Sequence, residues 1–383
     1  MALHFTREEF QRRIEAATRS LATRGLDGLL IFQQESMYYL TGYDSFGFCF
    51  FQCLYLGTDG RLALITRSAD LRQARRTSII PDVRVWTDEA GARPAAQLRV
   101  MLEDLGARGR RLGIETNAYG LSHAHGNAVE EALKGFCALE DASGLVDGLR
   151  AVKSPAELDC VRKAGKLADR ALEAGLNEIR AGADEAAILA AMQGAVLAAG
   201  GDYPGNEFIV GSGEDALLCR YKSGRRRLSA EDQLTLEFAG VWRHYHAALM
   251  RTVVIGRPRL EHVRMQAACR EALEACEAVL RPGHAAGEVF DAHARVMDAH
   301  GMGPHCLNAC GYSLGARFAP SWMDPPMFHR GNPVALTPGM VLFAHMILMD
   351  SDHGAAMTLG RTYIVTEQAP EPLSRASLDL IRI

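Results

Sequence analysis

The chain has 383 residues, 48% of them hydrophobic and 23% charged, and a formal net charge of −4. That length exceeds one ordinary core and points to two domains, while the composition excludes a disordered or fibrous protein. A net negative chain without a long basic run has little to offer a phosphate backbone, which excludes nucleic acid and leaves a small molecule as the expected ligand.

The opening segment reads as an amphipathic helix over 6–24, without the apolar centre of an export signal. No stretch approaches the roughly 18 apolar residues that cross a membrane, so a cytoplasmic protein without membrane attachment is expected. Strand patterns follow at 28–32, 48–57 and 62–66, near 83 and near 111, and their alternation with helices predicts an α/β domain with a mixed sheet. At Ser154 the pattern becomes helical: Ser154 and Glu157 form a capping box around Pro155 at the first helical position. The boundary therefore falls near 150, giving domains 1–150 and 151–383. The nine cysteines (Cys49, Cys53, Cys137, Cys160, Cys219, Cys269, Cys276, Cys306 and Cys310) include no CxxC pair and read as small buried hydrophobes.

The second domain repeats itself at an offset of 101 residues: ALEA at 171–174 returns at 272–275, Arg180 as Arg281, Gly182 as Gly283 and Gly200 as Gly301. Each copy predicts a long helix, a glycine turn and a second helix. Strand-like runs follow each copy, EFIVGS, QLTLEFAG and HYHAALMRTVVIG after the first, MVLFAHMILM and RTYIVTE after the second. Two such units predict a pseudo-two-fold domain, one curved sheet backed by four helices, with a central cleft.

These segments carry a resemblance. YYLTGYDSFG (38–47), LRAVKSPAELDCVRKAG, HYHAALMRTVVIG, LTPGMVLFAHM and RTYIVTEQAPEPLS occur in the order of the corresponding motifs of the creatinase/prolidase/aminopeptidase P family, peptidase M24. The resemblance implies an α/β fold: a creatinase/prolidase-like N-terminal domain, then a pseudo-two-fold "pita-bread" catalytic domain, working as a homodimer. Metal-dependent relatives hold two cations with carboxylates and a histidine. The corresponding positions here are Glu237, Ala248, Tyr312, His345 and Gly360, too poor a donor set for a dinuclear centre. The expectation is therefore a hydrolase of a carbon–nitrogen bond with no metal and no cofactor, in the style of ectoine hydrolase and creatinase. Alternatives left open are an Xaa-Pro dipeptidase with a rearranged site, a lyase acting on a small zwitterion, and a non-catalytic binding module.

The residues themselves suggest how. Glu237 interrupts an apolar run, LTLEFAG, where a carboxylate must be paired or protonated, and a raised pKa would suit it to general base or acid catalysis. His345, within MVLFAHMILM, needs a partner and suits a cleft-facing acid or base. His244 and His246, two apart, are expected on one strand face, His246 to shuttle protons and His244 toward substrate, with shared binding of one metal ion as the rival reading. Tyr312 in GYSLG would donate to an oxyanion or simply pack on Trp322, and Ser313 is available beside it. Arg220 and Arg251 suit a substrate carboxylate, although Arg251 has a structural reading as well.

Overall fold

The computed structural model describes residues 3–383, which divide between Arg150 and Ala151 into two compact units. In the first, α1 (Arg7–Thr23) starts where the Thr6 hydroxyl accepts from the Glu9 N–H, and buries Phe10, Ile14, Ala17 and Leu21 along one stripe. There follow β1 (Gly28–Ile31), α2 (Gln34–Thr41), β2 (Cys53–Gly57), β3 (Leu62–Arg67), α3 (Leu71–Thr77), β4 (Asp82–Trp86), α4 (Pro94–Asp104), β5 (Arg111–Ile114), α5 (His123–Leu133), β6 (Ala138–Asp141) and α6 (Leu145–Ala151).

The six strands form one mixed sheet in the order β4-β3-β2-β1-β5-β6. Both faces are covered: Leu29 and Ile31 pack into one core, Leu30 and Phe32 into another, which is why GLLIF reads as unbroken apolar sequence. One expectation needs correcting here. The strand predicted over 48–57 begins only at Cys53, because Gly47–Cys49 forms a single tight turn that leaves Phe46 and Phe50 exposed. YYLTG is the end of α2, closed by Gly42 at φ 79, a left-handed position that favours glycine.

In the second unit, α7 (Pro155–Glu178) opens with the Ser154–Glu157 capping box, and α8 (Glu185–Ala198), β7 (Ile209–Ser212), β8 (Asp232–Trp242) and β9 (Tyr245–Ile255) complete the first half. The second half holds α9 (Leu260–Val279), α10 (Ala286–Ala299), β10 (Gly311–Ser313), β11 (Asp324–Met327), β12 (Val341–Asp350) and β13 (Ala355–Ile364), followed by short β14 (Glu371–Pro372) and β15 (Ile381–Arg382). Glu185 to Ala286 and Ala198 to Ala299 are both steps of 101 residues, so α8 and α10 repeat in length and place. The sheet runs β11-β10-β12-β13-β9-β8-β7, which places the two halves about a central β13–β9 seam.

One sheet face packs against helices. Leu342, Ala344, Met346 and Leu348 join Cys269, Leu273, Val289 and Val296 in a single core, each large aliphatic side chain contributing about 1.5–3 kcal/mol by leaving water. At Gly240 the approach of α7 is so close that a Cβ would lie 2.0 Å from the Ala164 carbonyl oxygen. Even-numbered residues of β8 and β12 thus face helices, and odd-numbered ones face away.

Candidate active site

Directly opposed residues in an antiparallel pair point to the same side of a sheet. The register places Ile209, Glu237, Met250, Gly360 and His345 opposite one another in turn, one row crossing β7, β8, β9, β13 and β12. Tyr312 lies opposite Phe343, two residues before His345, and its ring centroid is 5.5 Å from the His345 ring. Glu237, Tyr312 and His345, far apart in sequence, therefore share the face turned away from the helices.

Glu237 is buried, and no described hydrogen-bond donor or cation contacts its carboxyl group. Burial pushes its pKa up from 4.5 to about 7, against the opposing pull of the Arg220 charge. A group poised there is half-ionised at neutral pH, as a general base or acid requires. Tyr312 is also buried, and its hydroxyl accepts from the Trp322 indole N–H at 2.8 Å. Burial, reinforced by the negative charge of Glu237, holds the phenol well above its ordinary pKa, so it stays a proton donor. One lone pair is taken by Trp322 and the phenolic hydrogen remains to be given elsewhere.

His345 does not fit the acid–base role expected of it. Burial lowers its pKa to about 3, with the nearby His293 acting in the same direction, so the imidazole is neutral across the physiological range. Its Nδ1 has no described hydrogen-bond partner, and neither has Nδ1 of His293 on α10. It can offer a neutral donor or acceptor to a ligand, not a charged one. Arg220 lies exposed in the loop after Gly213–Leu217, its Nη1 donating to the Cys219 carbonyl at 2.9 Å, and its charge reaches both Glu237 and Tyr312.

The remaining candidates are engaged by neighbouring parts of the fold. His246 is fully buried: Nε2 accepts from Gly205 N–H at 2.8 Å, and Nδ1 faces the Gly315 carbonyl at 3.4 Å. Both nitrogens are engaged and burial lowers the pKa to about 3, so no lone pair is left for proton transfer. His244 is not on a strand with it; it sits at φ 64 in the two-residue turn between β8 and β9, its ring stacked 4.2 Å from that of Phe318. Arg251 is 1% exposed and donates to the carbonyls of Met250, Gly360, Ala376 and Ser377, which leaves no free fork for a substrate. Ser313 donates to the Val341 carbonyl at 3.2 Å, on the strand face opposite to Tyr312.

Sequence reading named Trp322 only as a packing partner of Tyr312, not as a hydrogen-bond donor to its hydroxyl, and did not single out His293. For Trp322 the available signal was a large amphipathic side chain beside GYSLG; for His293, a histidine on the buried stripe of α10.

Among the described residues, no three or more His, Cys, Asp or Glu side chains converge so as to hold a metal ion. Where the resemblance would set a carboxylate, Gly360, a Cβ would come 2.7 Å from Cζ of Phe343 and 3.2 Å from Cβ of Met250. An aromatic ring takes up that space.

Two family models match the chain: "Metallopeptidase family M24" over residues 159–367 and "Creatinase/Prolidase N-terminal domain" over residues 13–152. The ectoine hydrolase of Halomonas elongata is 29% identical over 393 residues, covering 98% of this chain and 97% of the relative. The Xaa-Pro dipeptidase of Pyrococcus furiosus is 22% identical, covering 97% of this chain and all (100%) of that one. Among solved structures, a prolidase from Thermococcus sibiricus superposes with a TM-score of 0.88 at 20% identity, covering 98% of this chain and 99% of that chain, a likeness of fold.

Proposed function

The chain belongs to metallopeptidase family M24, and from that premise we propose that it is a hydrolase cleaving a carbon–nitrogen bond in a small carboxylate-bearing or zwitterionic substrate without a dinuclear metal centre. The family's name implies metal ions, but the residues at the cleft do not fit them: one carboxylate, an alanine, a phenol, a neutral imidazole and a glycine filled by Phe343. The observation that carries the reading is Glu237, a buried carboxyl poised near neutrality in one row with His345 and beside Tyr312.

In the proposed reaction, Glu237 takes a proton from water as the water oxygen bonds to the substrate carbon, and the same proton passes to the nitrogen as the C–N bond breaks. Tyr312, its oxygen already held by Trp322, donates to the charge developing on the tetrahedral carbon's oxygen substituent. Arg220 receives the substrate carboxylate through its guanidinium fork. His345 gives or accepts a neutral hydrogen bond that orients the substrate. The full-length similarity to ectoine hydrolase supports a small cyclic or zwitterionic substrate, and that to Xaa-Pro dipeptidase supplies the rival.

The test is a matched assay on chelator-treated protein of measured metal content, with ectoine and a panel of Xaa-Pro dipeptides, each with and without manganese. Turnover of ectoine or a related small C–N substrate by metal-free protein is expected. Activity that appears only with metal, or only toward Xaa-Pro dipeptides, overturns the proposal.

A further inference from the structure

Outside the cleft, several buried carboxylates take no part in the proposed reaction, and Glu185 is tied directly to the arginine loop. Glu185, the first residue of α8, is 0% exposed, and its two oxygens take four hydrogen bonds. Oε1 accepts from the Ser212 N–H at 2.9 Å and the Ser212 hydroxyl at 2.6 Å, at the end of β7. Oε2 accepts from the Tyr221 hydroxyl at 3.0 Å and the Arg225 N–H at 3.1 Å. Four donors and the positive end of a helix compensate the cost of removing this charge from water.

The placement of those partners is informative. Tyr221 follows Arg220 directly, and Arg225 lies five residues beyond it, so Glu185 grips the exposed arginine loop on one side and β7, the strand bearing Ile209 opposite Glu237, on the other. The rest of the loop repeats the attachment: the Ser223 hydroxyl accepts from Val210 N–H at 2.6 Å, and the backbone N–H of Glu185 donates to the Arg226 carbonyl at 3.0 Å. Among the described residues Arg220 donates only to the carbonyl of its neighbour Cys219, so its position is inherited from these anchors.

We propose that Glu185 is a positioning residue for substrate selection, holding the loop Leu218–Arg227 so that Arg220 keeps its place and the cleft accepts a carboxylate. The inference rests on Arg220 as the carboxylate contact in the proposed function, but its test does not need turnover. The charged and titratable groups whose fields act on Glu237 or are acted on by it are Arg220, Tyr312 and Cys219. Any drift of Arg220 is therefore reported by the ionisation of Glu237 itself.

The experiment is an infrared pH titration of the full chain, following the buried carboxyl band that disappears in Glu237→Gln. In the wild type the midpoint is expected near 7. It should rise by at least about half a pH unit in Arg220→Gln, because a stabilising cation is lost, and comparably in Glu185→Gln, where an amide NH2 meets the Arg225 N–H. Cys276→Ala, a core truncation elsewhere in the unit, lowers stability without moving the midpoint. A Glu185→Gln midpoint equal to wild type overturns the proposal, and so does an Arg220→Gln midpoint equal to wild type. If Glu185→Gln does not fold, Tyr221→Phe removes one of the two loop hydrogen bonds to the Glu185 carboxylate and is read the same way. Where a substrate is in hand, KM for the carboxylate form should rise several-fold in Glu185→Gln, with kcat within about twofold. Absence of turnover on ectoine leaves the titration result intact and counts only against the proposed reaction.

Discussion

The most exacting consequence of a buried, unpartnered Glu237 is a pH-dependent cost that one substitution should remove. Its folded-state pKa, about 7, stands above the ordinary 4.5, so the folded chain holds a proton that the unfolded chain releases between those values. The stability tied to that proton is fully present below about 4.5 and is lost as pH rises through about 7. At about 1.4 kcal/mol per pH unit over that interval, the ionised carboxylate costs the fold about 3 kcal/mol at pH 8 and above. Glu237→Gln keeps the shape and cannot ionise. Relative to wild type it should be about equally stable at pH 4.5 and gain with rising pH, by up to about 3 kcal/mol at pH 8. Urea unfolding of both proteins at matched pH values measures this. Taking the difference also cancels Glu115, a second carboxyl whose burial raises its pKa to about 7. Stability curves that stay parallel from pH 4.5 to 8 would refute the argument, because Glu237 would then be ionised in the fold throughout.

Two further substitutions separate chemistry from scaffold. Arg251→Gln leaves several buried carbonyls without their donor and should lower stability by about 3 kcal/mol, seen as an early melting transition, while KM of whatever protein remains folded is unchanged. A large rise in KM with normal melting would restore Arg251 as a substrate residue. Tyr312→Phe should fold normally, lose about 10- to 1,000-fold in kcat and change KM little, since the phenol is assigned to charge that develops only during reaction. Equal loss in both parameters, or none, would remove it from the reaction.

Much of the fold was legible because it rests on local pattern. The 101-residue echo is a repeat of helix lengths and of glycines at positive φ (Gly182 and Gly283, Gly200 and Gly301), and those are written directly in sequence. The run ending at Gly57 was over-read as a strand because apolar residues do not by themselves distinguish a strand from a tight turn. For the site, Glu237 stood out as a charge in an apolar strand, and the structure gives it the environment that such a position implies. His244 and His246 were misjudged because counting by twos holds only within a strand, and the β8–β9 turn falls at Arg243 and His244. Arg251 carried a structural reading beside the substrate one, but its partners and those of Glu185, Ser377 and Arg225 among them, lie far along the chain, and only tertiary contact reveals them.

The central seam has a consequence for how such a cleft can fail. Arg220 and Glu237 come from one half, Tyr312 and His345 from the other, and the direct ladder between the halves is three residue pairs, Leu359 with Arg251, Gly360 with Met250 and Arg361 with Leu249. A slip of two residues along that ladder would keep every side chain on its proper face yet carry acid away from phenol by about 7 Å, leaving a folded but inert protein. Arg251 donates from β9 to the Gly360 carbonyl on β13, so this guanidinium acts as a latch on alignment between the two copies. In the proposed reaction, activity is a property of that alignment, owned by neither copy alone.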